Sequence, residues 1–521
     1  MNTTEILMIA AAIVPDRTAI VFDGQRFSFE ALQERVNRLA NAMSDLGVGK
    51  GDRVAAMQTN CNHLVEIYFA AAQLDAVYVP INFRAKEEEL AIMLGIVDPS
   101  FLFLGQRYLS LVSGGTLPND RIVMLDAPPS DGKHGYEDLL AGADAEQLHF
   151  PEDDEDATTV IMFTSGTTSI PKGAQLTHDS FATFLLTNVE PADPDVAETN
   201  LLTVPMYHVA GLQAALAAVF GGRTLIVMPQ FDEEEWMSLA VEHRANRAML
   251  VPTMLKRVMD HPNFANYDLS SLGVITYGAA PMPLPVIRDA IEKFPNTRFI
   301  NAFGQTETAS TITMLPPDDH VLTGTPEEVE TKLRRLTSIG KPLDDVEVMI
   351  VTEDGEPVTE GEVGEIVARG PRMMTGYWGQ EEATGDTIRS GWLYTGDLAW
   401  QDGDGYIYLS GRARDFIKRG GEMISPEEVE QTLAEHSGVA EAAVIGIPDL
   451  EWGEEVRAVV VPTNESVTEE DLIEFCRQRL AGFKRPRSVV FIDALPRNVM
   501  GKVMKRDLRE QFDSPVESSG R

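Results

Sequence analysis

Phe163-Thr164-Ser165-Gly166-Thr167-Thr168-Ser169-Ile170-Pro171-Lys172-Gly173 is a run of hydroxyls and glycines with a lysine near its end, directly after the apolar, β-prone Thr159-Val160-Ile161-Met162. A loop of this make-up behind a strand suits a polyphosphate. Its glycines let backbone N–H groups turn toward an anion, its hydroxyls donate further hydrogen bonds, and Lys172 adds a point charge. It is not a Walker A loop, because Pro171 and Lys172 stand where that motif needs Gly-Lys-Ser/Thr. A plain surface turn rich in Ser, Thr and Gly has the same composition, so the loop takes its meaning from the chain downstream of it.

Downstream lies a series of short stretches in a fixed order: Pro205-Met206-Tyr207-His208-Val209-Ala210-Gly211, Tyr277-Gly278-Ala279-Ala280-Pro281, Asn301-Ala302-Phe303-Gly304-Gln305-Thr306-Glu307, Tyr394-Thr395-Gly396-Asp397, Gly411-Arg412-Ala413-Arg414-Asp415, Lys418-Arg419-Gly420-Gly421-Glu422 and Pro496-Arg497-Asn498-Val499-Met500-Gly501-Lys502. In type and order they resemble the motifs of the adenylate-forming family of acyl-CoA synthetases, luciferases and peptide-synthetase adenylation domains. The resemblance spans nearly the whole chain.

That resemblance implies activation of a carboxylic acid in two steps. The carboxylate attacks the α-phosphorus of ATP to give an acyl-adenylate and pyrophosphate, and a thiol then displaces AMP. Charge builds on phosphate oxygens in the first step, so lysine, Mg²⁺ and backbone donors are the expected apparatus. By resemblance, Thr164, Ser165, Gly166, Thr167, Thr168 and Lys172 hold the β- and γ-phosphates, Thr306 bonds the α-phosphate, and Glu307 supplies the carboxylate for Mg²⁺ with a hydroxyl from Thr164. One protein carboxylate is reasonable, because Mg²⁺ usually keeps waters and phosphate oxygens as its other ligands. Asp397 is expected on the ribose hydroxyls and Arg412 on the ribose or α-phosphate. Gly278, Ala279 and Ala280 offer a small-residue surface for adenine, with Phe303 as stacking aromatic, Asn301 as amide partner, and Ala302 and Gly304 beside them.

Lys502 is the expected catalytic lysine of the first step, bridging substrate carboxylate and phosphate, with Lys505 as its solvated neighbour. For the second step the resemblance implies rotation of a C-terminal domain about a hinge at Arg414, with Gly420, Gly421 and Glu422 lining the path of the CoA pantetheine. Two positions depart from the family pattern. Arg414 stands where many members carry Asp or Lys, and Ser169 where Gly is common. If position 169 needs a positive φ, serine costs about 1 to 2 kcal/mol there.

His208 stands where family members place an aromatic beside the acyl pocket and carboxylate, and Val209 follows it where amino-acid-activating relatives carry Asp, which argues against an amino acid substrate. Val209, Gly211, Val251, Tyr277, Gly278, Ala302 and Thr308 are the other pocket candidates, mostly small or apolar, which suggests an uncharged tail. The expectation is an AMP-forming acyl-CoA synthetase for a medium- or long-chain fatty acid. The alternatives are an aryl or alicyclic carboxylate ligase, a ligase loading a carrier protein, and more distantly a luciferase-like oxygenase or a non-catalytic adenylate-binding protein.

The elements that must position these residues can be read from periodicity. Leu32, Val36, Leu39, Met43 and Leu46 recur at helical spacing up to Gly47, and Arg53–Met57 then reads as a strand. Val77–Ile81, Phe101–Leu104, Ala248–Pro252, Gly273–Tyr277 and Arg298–Asn301 continue the alternation, placing the motifs at Tyr277 and Asn301 just beyond strand ends, where open α/β sheets bind ligands. From about Val346 to Leu409 short strands and the turns Asp354-Gly355, Asp402-Gly403 and Asp404-Gly405 suggest a small β-rich unit. After Arg412 comes a compact module, with helices near Pro426 to His436 and Glu469 to Leu480, and a disordered end from about Ser514.

The fold expected is therefore α/β: a large N-terminal domain, residues 1–412, of two α/β subdomains plus a small β-rich one, and a small mobile α+β C-terminal domain, residues 413–521. A length of 521 residues fits more than one core. The formal charge of −38 argues against nucleic acid and anionic membrane surfaces, so ATP and CoA require local positive charge in an acidic, lysine-poor protein. Two cysteines, Cys61 and Cys476, allow neither a disulfide framework nor a metal cluster and point to a reducing cytoplasm. Ile6–Val14 reads as a packed helix rather than a signal core, and no apolar run reaches the roughly 18 to 20 residues of a membrane span. The expected partners are the acid, ATP and CoA, with a homodimer left open.

Overall fold

The computed structural model describes residues 1–112, 115, 117–128, 130–152, 154–164, 171–412, 415–419, 422–449, 452–464, 466–497 and 503–512, the side chains of Arg412, Lys418, Glu422 and Met423 excepted. Two sheets form the bulk of the chain. One holds eight strands, and its parallel part runs from Thr158–Thr164 through Val77–Pro80, Arg53–Met57, Phe101–Leu104 and Ile122–Met124 to His134–Gly135. Val77–Pro80 and Phe101–Leu104 are buried at every position, as strands covered on both faces must be. The other sheet holds nine strands. Arg298–Gln305, Val274–Gly278, Arg247–Leu250, Thr199–Leu202, Thr224–Val227 and Thr18–Phe22 are parallel, with antiparallel strands at both edges.

The helices Phe29–Asp45, Asn62–Gln73 and Val209–Phe220 lie between the sheets. Ser28 caps the helix Phe29–Asp45 by accepting from the Ala31 N–H, and its stripe Leu32, Val36, Leu39 and Met43 is buried. Gly47, at φ 92°, turns the chain out of that helix. One core joins Ile20 and Leu225 of the nine-stranded sheet to Val54 and Val160 of the eight-stranded sheet through Leu39, Phe69 and Leu216 of intervening helices. Thr18–Phe22 belongs to one sheet and Arg53–Met57 to the other, so the two halves are threaded through each other. The helix Thr4–Ile13 buries Ile6, Leu7 and Ala10 in the same core, and no described helix is long and apolar enough to cross a membrane.

Glu347–Val351, Gly364–Arg369, Ile388–Arg389, Trp392–Gln401 and Ile407–Arg412 form the antiparallel β-rich unit. Between its strands, Arg372 is fully buried, and its Nε lies 2.7 Å from Asp345, which fixes the segment leading to Gly376 and Tyr377. Beyond residue 412 the strands Ile417–Arg419, Glu422–Ile424, Val439–Asp449, Gly453–Pro462 and Ser488–Phe491 build a fourth sheet with its own core of Ile417, Ile424, Val429, Leu433, Val444, Val456, Leu472 and Cys476. Ala443, Ile445 and Ile447 face the other way, onto Leu508 of the helix Lys505–Phe512.

One expected boundary is corrected. The strand Val274–Gly278 runs just past Tyr277 and leaves Ala279, Ala280 and Pro281 beyond its end as expected, whereas Arg298–Gln305 continues past Asn301 to Gln305, so most of that motif lies inside a strand. Gly278 and Ala302 pair directly, allowing the sheet to continue into the motif. The expected disordered end from Ser514 lies outside the described residues.

His178 and His320 are buried and the His208 ring is largely desolvated, which should make the fold acid-sensitive. Burial pushes His178 and His320 down to about 4 and His208 to about 3, against an ordinary value of 6.5. His320 Nδ1 sits 2.9 Å from the Pro316 carbonyl and Nε2 2.9 Å from the Tyr277 hydroxyl, an arrangement satisfied by a neutral ring protonated on Nδ1. As pH falls below 6.5 the unfolded chain takes up protons that the folded chain refuses, so stability is lost downward toward pH 4. The thermal unfolding midpoint should drop by several degrees between pH 7.5 and pH 5; a flat or rising midpoint would contradict the buried neutral assignment.

Candidate active site

The hydroxyl-rich segment lies between two antiparallel strands, Thr158–Thr164 and Lys172–Thr177, whose last pair is Thr164 with Lys172. Thr164 Oγ1 donates to the Lys172 carbonyl at 3.5 Å, closing the loop's base. Ser165, Gly166, Thr167, Thr168 and Ser169 lie outside the described residues. The Lys172 ammonium stands 4.9 Å from the centre of the Tyr377 ring, and the Tyr377 hydroxyl donates to Glu307 Oε1 at 2.8 Å. A cation over a ring face and a charge-assisted hydrogen bond thus bring together Lys172 and Glu307, which are far apart in sequence.

Sequence reasoning missed Tyr377. It sits on the two-residue strand Gly376–Tyr377, which pairs with Gln175 and Ala174 beside the loop. Its N–H donates to Thr384 Oγ1 at 2.8 Å, and the next residue, Trp378, donates to the Gly173 carbonyl at 2.8 Å. Gly376, at φ 156°, permits the approach, since a Cβ there would stand 2.8 Å from the Thr384 side chain. The only sequence signal was a Gly-aromatic step, Gly376-Tyr377-Trp378, too short to register as a strand.

Glu307 projects from a tight reversal. Arg298–Gln305 pairs antiparallel with Ser310–Leu315, and Thr306–Thr308 forms one 3₁₀ turn between them. Ala309 and Ser310 both adopt positive φ, 46° and 88°, although each carries a Cβ, a strain of about 1 to 3 kcal/mol apiece. Gly304 is required here, because a Cβ would fall 1.7 Å from the Ser310 carbonyl oxygen. The Met374 N–H donates to the Glu307 carbonyl at 2.9 Å, so the segment carrying Tyr377 grips this turn through backbone as well.

Beside it, Gly278 packs against the Ala302 carbonyl, 2.1 Å from where a Cβ would stand, and Ala279 turns the chain at φ 64°. Ala280 comes next in the same turn. Asn301 is buried, and its amide donates to the Ser338 carbonyl at 3.1 Å, while Phe303 packs on the core of the β-rich unit. Gln305 reaches the Thr395 carbonyl at 3.4 Å and so ties this strand to the turn before Asp397. Asp397 is buried, and its backbone pairs in register with that of Arg412 across the hairpin of Trp392–Gln401 and Ile407–Arg412.

His208 caps the helix Val209–Phe220 and lies 4.2 Å, ring to ring, from Tyr207. Its Nε2 is shielded from solvent and bonds to no described group. Burial, then the nearby Arg84 charge, pushes its pKa down to about 3, so the ring is neutral at working pH. Gly211 lies where a Cβ would come 2.2 Å from the Pro205 carbonyl.

The pocket set needs correction. Tyr277 shares its strand face with Ile275 and packs into the core against His320, and Thr308 spends its hydroxyl on the Gln305 and Ser310 carbonyls. Lys505 is corrected too: it is not a solvated charge, being 12% exposed and lying 2.8 Å from Glu430. Gly420, Gly421, Lys502 and the hinge residue Arg414 lie outside the described residues.

Known proteins share this architecture. Residues 9–378 match the AMP-binding enzyme family, and residues 428–502 match the AMP-binding enzyme C-terminal domain. A feruloyl-CoA synthase of an Amycolatopsis species is 36% identical over 504 residues, 96% of this chain and 97% of that one. A long-chain-fatty-acid–CoA ligase of Mycobacterium tuberculosis is 34% identical over 94% of each. The crystal structure of ATP-bound MatB from Rhodopseudomonas palustris superposes with a TM-score of 0.87 at 29% identity, covering 98% of this chain and 99% of that one.

Tyr377→Phe keeps the ring under Lys172 and removes only the hydroxyl bonded to Glu307. A hydrogen bond to a charged group is worth about 1.5 to 3 kcal/mol, so MgATP turnover should fall roughly tenfold or more while the melting temperature drops by no more than a few degrees. Wild-type kinetics in the variant would deny Tyr377 its role.

Proposed function

Starting from the fact that this chain belongs to the AMP-binding enzyme family, we propose that the residues gathered above bind ATP and activate a carboxylic acid with an uncharged tail. The chain is an ATP-dependent acid–thiol ligase that forms AMP and passes its acyl group to CoA. The single observation that carries the assignment of residues is the Lys172–Tyr377–Glu307 contact, which sets a cation over the face of one ring and a carboxylate at its hydroxyl, at the base of the hydroxyl-rich loop.

In this reading Thr164 and Lys172, with the loop residues Ser165 to Thr168, hold the β- and γ-phosphates, and Thr306 bonds the α-phosphate. Glu307 and Thr164 offer hard oxygen donors that fit Mg²⁺, with phosphate oxygens and water completing its shell. Held by these residues, Mg²⁺ would supply positive charge to offset that developing on the phosphates. Asp397 accepts from the ribose hydroxyls beside Arg412. Gly278, Ala279 and Ala280 form a wall without side-chain bulk for adenine, with Phe303, Asn301, Ala302 and Gly304 along the adjoining strand. Lys502 bridges the substrate carboxylate and the phosphate. After adenylation a domain of residues 413–521 turns about Arg414 relative to residues 1–412, and Gly420 and Gly421 admit the pantetheine arm. The separate core beyond residue 412 supports that division.

The neutral His208 ring, Val209, Gly211 and Ala302 support an acid with an uncharged tail, and a medium- or long-chain fatty acid remains the reading favoured for it. An aryl carboxylate is the second reading, favoured by the 36% identity to a feruloyl-CoA synthase. The buried free thiols of Cys61 and Cys476 support a reducing cytoplasm as the enzyme's compartment.

Acyl-CoA and AMP formation across a panel of fatty, aryl and alicyclic acids tests the substrate. Fatty acids should be turned over best; a rate confined to cinnamic-type acids would replace them by the second reading, and acyl-AMP accumulating with CoA present would point to a carrier protein instead. Lys502→Ala should abolish acyl-AMP formation and spare thioester formation from supplied acyl-AMP; equal loss of both would refute its role.

A further inference from the structure

The chain on either side of residues 498–502 is fastened in an unusual way. Arg497 and Val503 form an antiparallel bridge, and the Met504 N–H donates to the Pro496 carbonyl at 2.8 Å, so the two ends of the segment meet as a short stem. Each foot of that stem carries a cation paired to a carboxylate of the same neighbourhood. Arg497 meets Glu441 of the edge strand Val439–Asp449 at 2.9 Å. Lys505 meets Glu430 at 2.8 Å and Glu427 at 3.4 Å, both on the helix Pro426–Ala434. Glu430 in turn accepts from the Val444 N–H of that edge strand at 2.7 Å. A third pair, Arg509 with Asp415 at 3.0 Å, fixes the helix Lys505–Phe512 to the first described residue past 413–414.

Burying a lysine is costly unless it is paired, and an apolar residue would fill the same space more cheaply. A paired lysine supplies what an apolar residue does not, a directional tie between two elements. Lys505 therefore does more than pack. It connects the helix on one face of the C-terminal sheet to the helix on the other, around the edge strand, a few residues from Lys502 in the chain.

We propose that Lys505 and Arg497 are positioning residues that pin both feet of the 498–502 segment to the edge strand and its helix, so that ion pairs set where the Lys502 amine stands for adenylation. This rests on the reading of Lys502 as the adenylating lysine. A misplacement of about 1 Å can cost on the order of 100-fold in rate, so two ties are worth keeping on a residue that must reach across a domain boundary. The thioester step, which does not use Lys502, is indifferent to them.

The test uses the full-length protein and the acid of highest turnover, with pyrophosphate release measured without CoA and thioester formation measured from supplied acyl-adenylate. Lys505→Met should lower adenylation roughly tenfold to 100-fold in kcat with the KM for ATP unchanged, and leave thioester formation within about twofold. Lys505→Arg should restore most of the lost rate. Glu441→Gln, at the half-exposed foot where folding has little at stake, should lower adenylation about threefold to tenfold. Equal loss of both half-reactions in Lys505→Met and Glu441→Gln overturns the proposal, as does unchanged adenylation in both while Lys502→Ala is inactive. Unchanged adenylation in Lys502→Ala would instead overturn the reading of Lys502 beneath it.

Discussion

The hydrogen bond from the Tyr377 hydroxyl to Glu307 is the interaction on which the site depends. Glu307 lies in the turn between two strands of the nine-stranded sheet, Tyr377 on the edge strand of the eight-stranded sheet and Lys172 on the strand beside it. One ring bridges them, bonded at its hydroxyl to a carboxylate and covered on its face by an ammonium. The buried Arg372–Asp345 pair and the backbone bond from Met374 to Glu307 hold that ring's segment in place from behind. Strain at Ala309 and Ser310 is tolerable only in such a braced turn, and it fixes the carboxylate before any nucleotide arrives.

Charge sets the second constraint. A chain with a formal charge of −38 repels a nucleotide at long range, and screening limits that repulsion to about 8 to 10 Å at physiological salt. Recognition must therefore be local. In the proposed site Lys172 and Arg412 would meet the phosphates, while other cations of the C-terminal module, such as Lys484, Arg497 and Lys505, are committed to carboxylates. On that proposal, cations for the nucleotide are kept apart from cations that hold the fold, which would make an acidic protein compatible with anionic substrates.

Much of this was legible in the sequence because the motifs are contiguous. The hydroxyl loop, the Gly278 to Ala280 turn and the Asp397–Arg412 hairpin each carry their chemistry within a short stretch of chain, and the structure brings the last pair into register. Parallel strands such as Phe101–Leu104 announce themselves as unbroken apolar runs. Three features escaped for physical reasons. Tyr377 lies on a strand two residues long, defined only by its partner. Tyr277 looked like a pocket residue until strand alternation placed it with Ile275 in the core. Lys505 read as solvated because its carboxylate partners, Glu427 and Glu430, are remote in sequence.

The braced Glu307 carboxylate, Lys172 at the loop base and the Asp397–Arg412 hairpin are the features from which we propose a site for attack at the α-phosphorus of ATP. The most direct measurement is the fate of ¹⁸O carried in the carboxylate of the acid. One labelled oxygen should appear in AMP, with pyrophosphate unlabelled. Label in inorganic phosphate, with ADP as the nucleotide product, would contradict the account.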